Sequence, residues 1–446
     1  MEHRPIIRRA FGFWICLALV VGNMIGAGVF AMPSALAPFG WNAALGWIVT
    51  IAGSLCLAFV FARLARRFPQ AGGPYAYTRE AFGHGAGFAV AWSYWVSILS
   101  ANAAIALTAI SYLSHFLPGL ATAPTVPALA FLWGLTALSC VTLRGAGDVQ
   151  VVTTALKLLP LAAAILLVAA ILLRSGTAAV AAAGPPVPIS LGAVSSTAAL
   201  TLWAMVGFES ATIPAEHVRD PASTIPRATL TGTLFTGLIY IVACTGVALL
   251  LPRALAVRSN APFADFIGLH WGAGPASLGA LFAAISAIGA LNGWVVLQGE
   301  IPLAMARDGI FPLWLARVSR MGTPVRAQLV SSGIVTLLLL ANRSPSMVKL
   351  IVFMALVSTT ATLVAYLACA LAALWLQRNG RLEKSALLVA ACLLGLIYSG
   401  WAVYGVGWEP AISGFGLMAC GLLVYLTMRR GSPGNESAAE LGNRGG

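Results

Sequence analysis

Apolar runs of about twenty residues recur along the whole chain, and this repetition constrains the fold more than any other feature. A run of that length crosses the hydrocarbon core of a bilayer as one helix. Twelve such spans are expected, at 11–34, 41–62, 83–116, 126–143, 150–173, 190–214, 228–251, 275–300, 327–342, 347–376, 385–405 and 411–428. Lipid offers no partner to a bare N–H or C=O, so the spans should be helical. The strands of a membrane barrel would alternate in polarity, and these runs do not. Hydrophobic residues make up 59% of the chain and charged residues 9%, against about 25% charged in a soluble domain. The fold class is therefore all-α integral membrane.

The formal charge of +13 invites a nucleic-acid reading, which the placement of the charges excludes. With the N-terminus inside, the inner segments hold twenty Lys and Arg residues, and the outer loops hold five: Arg174, Arg253, Arg258, Arg343 and Lys349. That excess follows the positive-inside rule and puts both termini in the cytoplasm of a multi-pass protein of the cell inner (plasma) membrane. The seven cysteines fall within apolar spans without CxxC spacing, as small buried side chains do. Arg8 and Arg9 before an apolar run imitate a signal peptide, but the run is too long for one. The last segment, 429–446, is polar and small in side chain, as a disordered cytoplasmic tail would be. The longest hydrophilic connection, about 250–274, reads as an outer loop, and no soluble catalytic domain is visible.

Two spans are interrupted. Span one carries "GNMIGAGVF", three glycines and an asparagine in a stretch that should be strongly helical. Span six reads "TLWAMVGFESATIP", with a glycine and an acid in mid-membrane. Gly26 lies seven residues before Pro33, and Gly207 lies seven before Pro214. Each has a glycine break, a short half-helix and then a proline. Gly22 and Gly26 alone would suit close helix packing. The matching break in span six points instead to inverted repeats, with 11–176 and 190–376 as the two five-span units. Segment 1–10 precedes them, and spans eleven and twelve (385–428) stand outside.

Unwinding exposes backbone groups. The half-helix after a break presents free N–H groups and a positive dipole end, which suit a carboxylate. The half-helix before it presents free carbonyls, which suit an ammonium. Two such breaks facing one another can hold an amino acid without paired charged side chains, and glycine lets the ligand approach the backbone.

The motifs "GNMIGAGVFAMP", "PQAGGPYAYTREAFG", "TLWAMVGFESA", "RDPASTIPRAT" and "NGWVVLQGEIPLAMARDGIFP" resemble the amino acid–polyamine–organocation superfamily over nearly the whole chain. Within it the chain most resembles the basic amino acid/polyamine antiporters, of the arginine/agmatine type. The resemblance implies a LeuT-type fold with 5+5 inverted repeats, broken helices 1 and 6, and alternating access. It also implies roles. Ala27 and Gly28 offer amides to the substrate carboxylate, and Met24, Trp203 and Val206 offer carbonyls to the α-amino group. Asn23 sits beside the substrate. Trp203 and Trp294 stack on its side chain, where cation–π attraction suits a cationic head. Asn102 meets that head, while Ser97, Ile98, Ile105, Ser358 and Thr359 surround it. Tyr94 gates the outer side, and Tyr366 joins the gating and proton-sensing group. Ala27 departs from the family's serine beside the carboxylate.

Glu209 lies in the second break, where a carboxylate is costly unless paired or protonated. A pH-sensitive switch is expected there, against a fixed acid capping the exposed amides. Lys157 is a mid-span cation, too central to snorkel. By resemblance its ammonium stands where a sodium ion would bridge spans one, five and eight, which argues against sodium coupling. Glu216, His217, Arg219 and Asp220 form a solvated cluster at the inner end of span six, and Glu300 and Asp308 suit interhelical pairing. No histidine has metal-ligand spacing and no phosphate loop is present, so neither a cofactor nor ATP-driven transport is expected. The function expected is exchange of a basic amino acid, arginine first, for its decarboxylated amine, agmatine. Coupled to cytoplasmic decarboxylation, this exchange removes protons from the cell. The alternative is a proton-coupled permease for neutral or broad-range amino acids. A channel, a sensor or a membrane enzyme would need features the chain lacks. The partners expected are these small solutes and the lipid bilayer, with a homodimer possible by analogy and nucleic acid excluded.

Overall fold

The computed structural model describes residues 11–68, 73–141, 146–212, 218–319, 322–341 and 346–430. Segment 1–10, the tail from 431 onward, and Pro214, Glu216 and His217 lie outside the described residues. The chain runs through α1 (Phe13–Met24), α2 (Ala27–Leu36), α3 (Asn42–Arg67), α4 (Pro74–Phe82), α5 (His84–Leu113) and α6 (Thr125–Val141). It continues through α7 (Ala146–Ser175), α8 (Ala178–Ala183), α9 (Leu191–Met205), α10 (Pro221–Leu250), α11 (Arg253–Ala256) and α12 (Pro262–Trp271). It ends with α13 (Ala273–Arg307), α14 (Val325–Ala341), α15 (Met347–Arg378), α16 (Ala386–Val406) and α17 (Trp408–Arg430). Among the described residues there is no strand, only an isolated bridge between Phe11 and Val218.

Among the described residues nine helices are long and apolar enough to cross a membrane, and α1 with α2, bent by 40° at their break, makes ten. Two further apolar helices, α6 and α14, are shorter and coincide with expected spans four and nine. Three expectations are corrected. The connection 250–274 is largely helical, as α11 and α12, with Phe263 and Phe266 buried. Proline at its first position, which has no N–H to lose, opens α12 as it opens α4 and α10. The span expected at 228–251 begins seven residues earlier, at Pro221. The helix of span twelve runs to Arg430, two residues into the expected tail.

At the centre, α5 is buried over nearly its whole length and packs against both α13 and α15. α3 packs against α9, α10 and α16. Small residues let these backbones close up: Gly46 faces Thr197, Gly53 faces the Tyr398 ring, and Gly405 faces the Ser195 carbonyl. Polar side chains inside the bundle bond within it. Thr50, for example, shares a hydrogen bond of 2.7 Å with Thr201. The ion pairs found among the described residues, Arg63–Glu383, Arg79–Asp308 and Arg381–Glu80, all lie at one end of the bundle. That is the end rich in Lys and Arg.

A methyl group at Gly405 has no room against the Ser195 backbone. Gly405→Ala should destabilise the bundle by about 1–3 kcal/mol through overpacking, seen as a lower thermal midpoint of the purified protein in detergent. An unchanged midpoint would mean that α16 does not need this close approach.

Candidate transport site

The first break begins where Gly26 N–H turns back to the Met24 carbonyl (2.8 Å). Ile25 N–H still bonds Val21, but the Gly22 and Met24 carbonyls lose their helical donors. Neighbouring helices supply replacements. Lys157 Nζ on α7 donates to Gly22 O at 3.0 Å, and Tyr240 OH on α10 donates to Met24 O at 2.7 Å. The Met24 carbonyl, expected to face the substrate amine, thus already accepts from Tyr240 and Gly26. After the break, α2 starts at Ala27 without a side-chain cap, which leaves its first amides available to an anion.

The second break follows α9. Val206 is extended, and Gly207 has φ +115°, a region that only glycine enters without strain. A 3-10 turn, Phe208–Thr212, follows in place of the expected half-helix. Gly207 lies against the first break: a Cβ placed on it would stand 3.2 Å from the Asn23 carbonyl carbon. The two interruptions therefore touch.

Between them is a small cavity. The first break contributes Asn23, Met24, Gly26, Ala27 and Gly28 to its lining, and α9 with its end contributes Trp203, Ala204 and Val206. Ala101 and Ile105 come from α5, Trp294 from α13 and Ser358 from α15. None of these carries a formal charge. Of the residues singled out in the sequence, Asn23, Met24, Ala27, Gly28, Ile105, Trp203, Val206, Trp294 and Ser358 line the cavity. Ser97, Ile98, Asn102 and Thr359 are buried but are not among the lining residues. Ser97 bonds Ser358 and Thr362, Thr359 bonds the Ala355 carbonyl, and Asn102 donates to Gln298. Sequence reasoning placed Gly26 at the break without naming it a lining residue, and missed Ala101 and Ala204. Ala101 was reachable, since it lies one helical turn before Ile105 on the same face of α5.

Glu209 is fully buried and has three donors. Tyr94 OH reaches Oε1 at 2.9 Å, while Tyr366 OH and Gly207 N–H reach Oε2 at 2.9 and 3.2 Å. Phe208 and Phe61 pack on the Tyr366 ring at 5.1 and 5.6 Å. The carboxylate thus both caps the second break and ties α5 to α15. Tyr94 was expected on the outer side. It lies seven residues toward the α5 N-terminus from Ala101, about 10 Å along the axis, at the end that holds the ion pairs.

At that end Asp308 accepts from Arg79 (2.6 Å) and Tyr75 OH (2.5 Å), joining α4 to the end of α13. The pairing expected of Asp308 is present. Burial, and then the Asp308 carboxylate, pushes the Tyr75 hydroxyl up to about 12, so it stays a donor at neutral pH. On the other side of the cavity, a void of about 630 Å³ is lined in part by Ser34, Arg258 and Lys349. Asp220, at φ +43°, is exposed at the start of α10 and accepts from Ser223.

A bundle of membrane helices whose two interruptions meet around an uncharged cavity is built as a membrane carrier. The chain belongs to the amino acid permease family, which residues 11–429 match, within the amino acid–polyamine–organocation superfamily. A putative arginine/ornithine antiporter of Bacillus subtilis is 31% identical, over 94% of this chain and 96% of its own. A cadaverine/lysine antiporter of Escherichia coli K12 is 33% identical over 74% of each chain. A putrescine transporter of the same strain is 29% identical, over 91% of this chain and 93% of its own. These relatives group the chain with the basic amino acid/polyamine antiporters, which are transporters and not enzymes.

Lys157→Ala removes the donor to Gly22 and leaves a buried carbonyl unpaired, a loss of about 1–3 kcal/mol at the break. Exchange in proteoliposomes should fall roughly tenfold or more at equal protein. Full transport would remove Lys157 from the working site.

Proposed function

We propose that this protein is a twelve-span secondary exchanger of LeuT type, with 5+5 inverted repeats and both termini in the cytoplasm. It trades a basic amino acid for its decarboxylated amine, with arginine and agmatine as the pair. The observation that carries this reading is the cavity itself, with open amides of α2 on one side, two tryptophan faces, and no acidic side chain in its lining. Such a site suits a carboxylate at one end and a cation held by π faces at the other. The names of the relatives supply the competing pairs, arginine with ornithine and lysine with cadaverine. Ala27 leaves the carboxylate end to backbone alone, so an amine without a carboxylate loses little there. Exchange of a +1 for a +2 solute exports charge and, with decarboxylation inside, removes protons. Asn102 takes the substrate head from behind Ala101 and Ile105.

A second reading is proton-coupled net uptake, favoured by Lys157 on the Gly22 carbonyl, where a coupling ion would otherwise sit. Proteoliposomes decide between them. Electrogenic exchange of arginine for internal agmatine without a proton gradient supports the first reading. Uptake that requires the gradient and no internal amine supports the second.

Glu209, held by Tyr94 and Tyr366, is the proposed pH-sensitive element. Glu209→Gln keeps an acceptor for one tyrosine and removes the titrating group, so the pH dependence of exchange should flatten. An unchanged pH profile makes Glu209 a fixed cap.

A further inference from the structure

Asn102 belongs to a chain of buried side-chain amides. Its Nδ2 donates to Gln298 Oε1 on α13 at 2.8 Å. Gln298 Nε2 donates to Gln328 Oε1 on α14 (3.3 Å) and to Ser332 Oγ (2.8 Å). Gln328 Nε2 donates to the Val296 carbonyl (3.3 Å) and to Ser139 Oγ (3.2 Å). Asn102, Gln298 and Gln328 are all essentially fully buried.

A primary amide can turn over and exchange its donor and acceptor ends. This chain removes that freedom. Val296 offers a backbone carbonyl, which can only accept, so Gln328 must direct its NH2 there and its oxygen toward Gln298. Gln298 must then direct its own NH2 toward Gln328 and its oxygen toward Asn102. Asn102 must give its NH2 to Gln298. Its Oδ1 is left over, buried and without a partner. A lone buried acceptor costs about 1–3 kcal/mol, and such costs concentrate at functional sites.

The chain is also fixed in place. Pro302 lies four residues after Gln298 within α13 and has no N–H, so it frees the Gln298 carbonyl. That carbonyl accepts instead from Trp95 Nε1 (3.0 Å) and Ser331 Oγ (2.8 Å). Both backbone and side chain of Gln298 are thereby locked between α5 and α14.

We infer that Gln298 and Gln328 are positioning residues for substrate selection: they fix the polarity of Asn102 so that it presents only an acceptor. The site then prefers a head with donors only, a guanidinium or ammonium, over a head of equal size with a carbonyl. This rests on the reading above that the substrate head reaches Asn102.

Two isosteric pairs test it: arginine against citrulline, and agmatine against N-carbamoylputrescine, as competitors of exchange in proteoliposomes. In each pair a ureido oxygen replaces a guanidinium nitrogen. The wild-type ratio of inhibition constants should favour the guanidinium by roughly a hundredfold or more. Gln298→Met, similar in size but without the amide, frees Asn102 to turn and should cut the ratio about tenfold. Gln328→Met, one step further away, should cut it by a smaller factor in the same direction. Ser332→Ala also removes a hydrogen bond from Gln298. A hydroxyl both donates and accepts, so it sets no polarity, and the ratio should hold.

An unchanged ratio in both methionine variants overturns the relay and leaves the cationic reading standing. An equal fall in Ser332→Ala also overturns it, since packing would then explain the effect. A wild-type protein that binds citrulline as tightly as arginine, or binds neither, overturns the relay and the proposed function together.

Discussion

Everything in this fold follows from the requirement that a backbone group inside a membrane have a partner. Among the described residues, nine long apolar helices and the bent pair α1 with α2 meet that requirement by being helical. At two places the chain gives up the helix, and the neighbours are arranged around the groups set free. Lys157 and Tyr240 answer the Gly22 and Met24 carbonyls, and Glu209 answers the Gly207 amide. Each comes from a different part of the chain. The amides at the start of α2 are left for a ligand.

The same rule governs buried polar side chains away from the breaks. Thr108, Thr136, Thr233 and Thr362 each return their hydroxyl to a carbonyl four residues back, so they cost little where they stand. Gln298 and Gln328 find no such local answer and must bond across helices. Most charges lie toward the ends of the bundle, and at one of them Arg79 and Asp308 are still part-exposed and contribute modestly. Lys157 and Glu209 are exceptions: Lys157 is paired with a carbonyl, and Glu209 with two tyrosine hydroxyls and the Gly207 amide.

The breaks were legible in the sequence because glycine and asparagine in an apolar run are visible against it. The tryptophans of the cavity were legible through resemblance. Ala204 carried no signal, since an alanine lining a cavity looks like any other small residue of a span, whereas Ala101 was reachable only through its spacing from Ile105. Asn102 was recognised, though it is not itself among the residues that line the cavity. The depth of Tyr94 along α5 was not legible, because it depends on where the other elements end. Gln298 and Gln328 were passed over. Their meaning lies in a sequence of partners on three helices, which spacing along one chain does not reveal.

The bridge between Phe11 and Val218 has a mechanical meaning. Arg219 N–H bonds the Phe11 carbonyl at 2.8 Å, tying the chain just before α1 to the chain just after the second break. Higher up, Gly207 rests on Asn23 and Met24. The described residues around the two interruptions are thus joined at two points, Phe11 to Arg219 and Asn23 to Gly207. Two segments nearly two hundred residues apart in sequence are therefore held against one another directly, and not only through the helices between them.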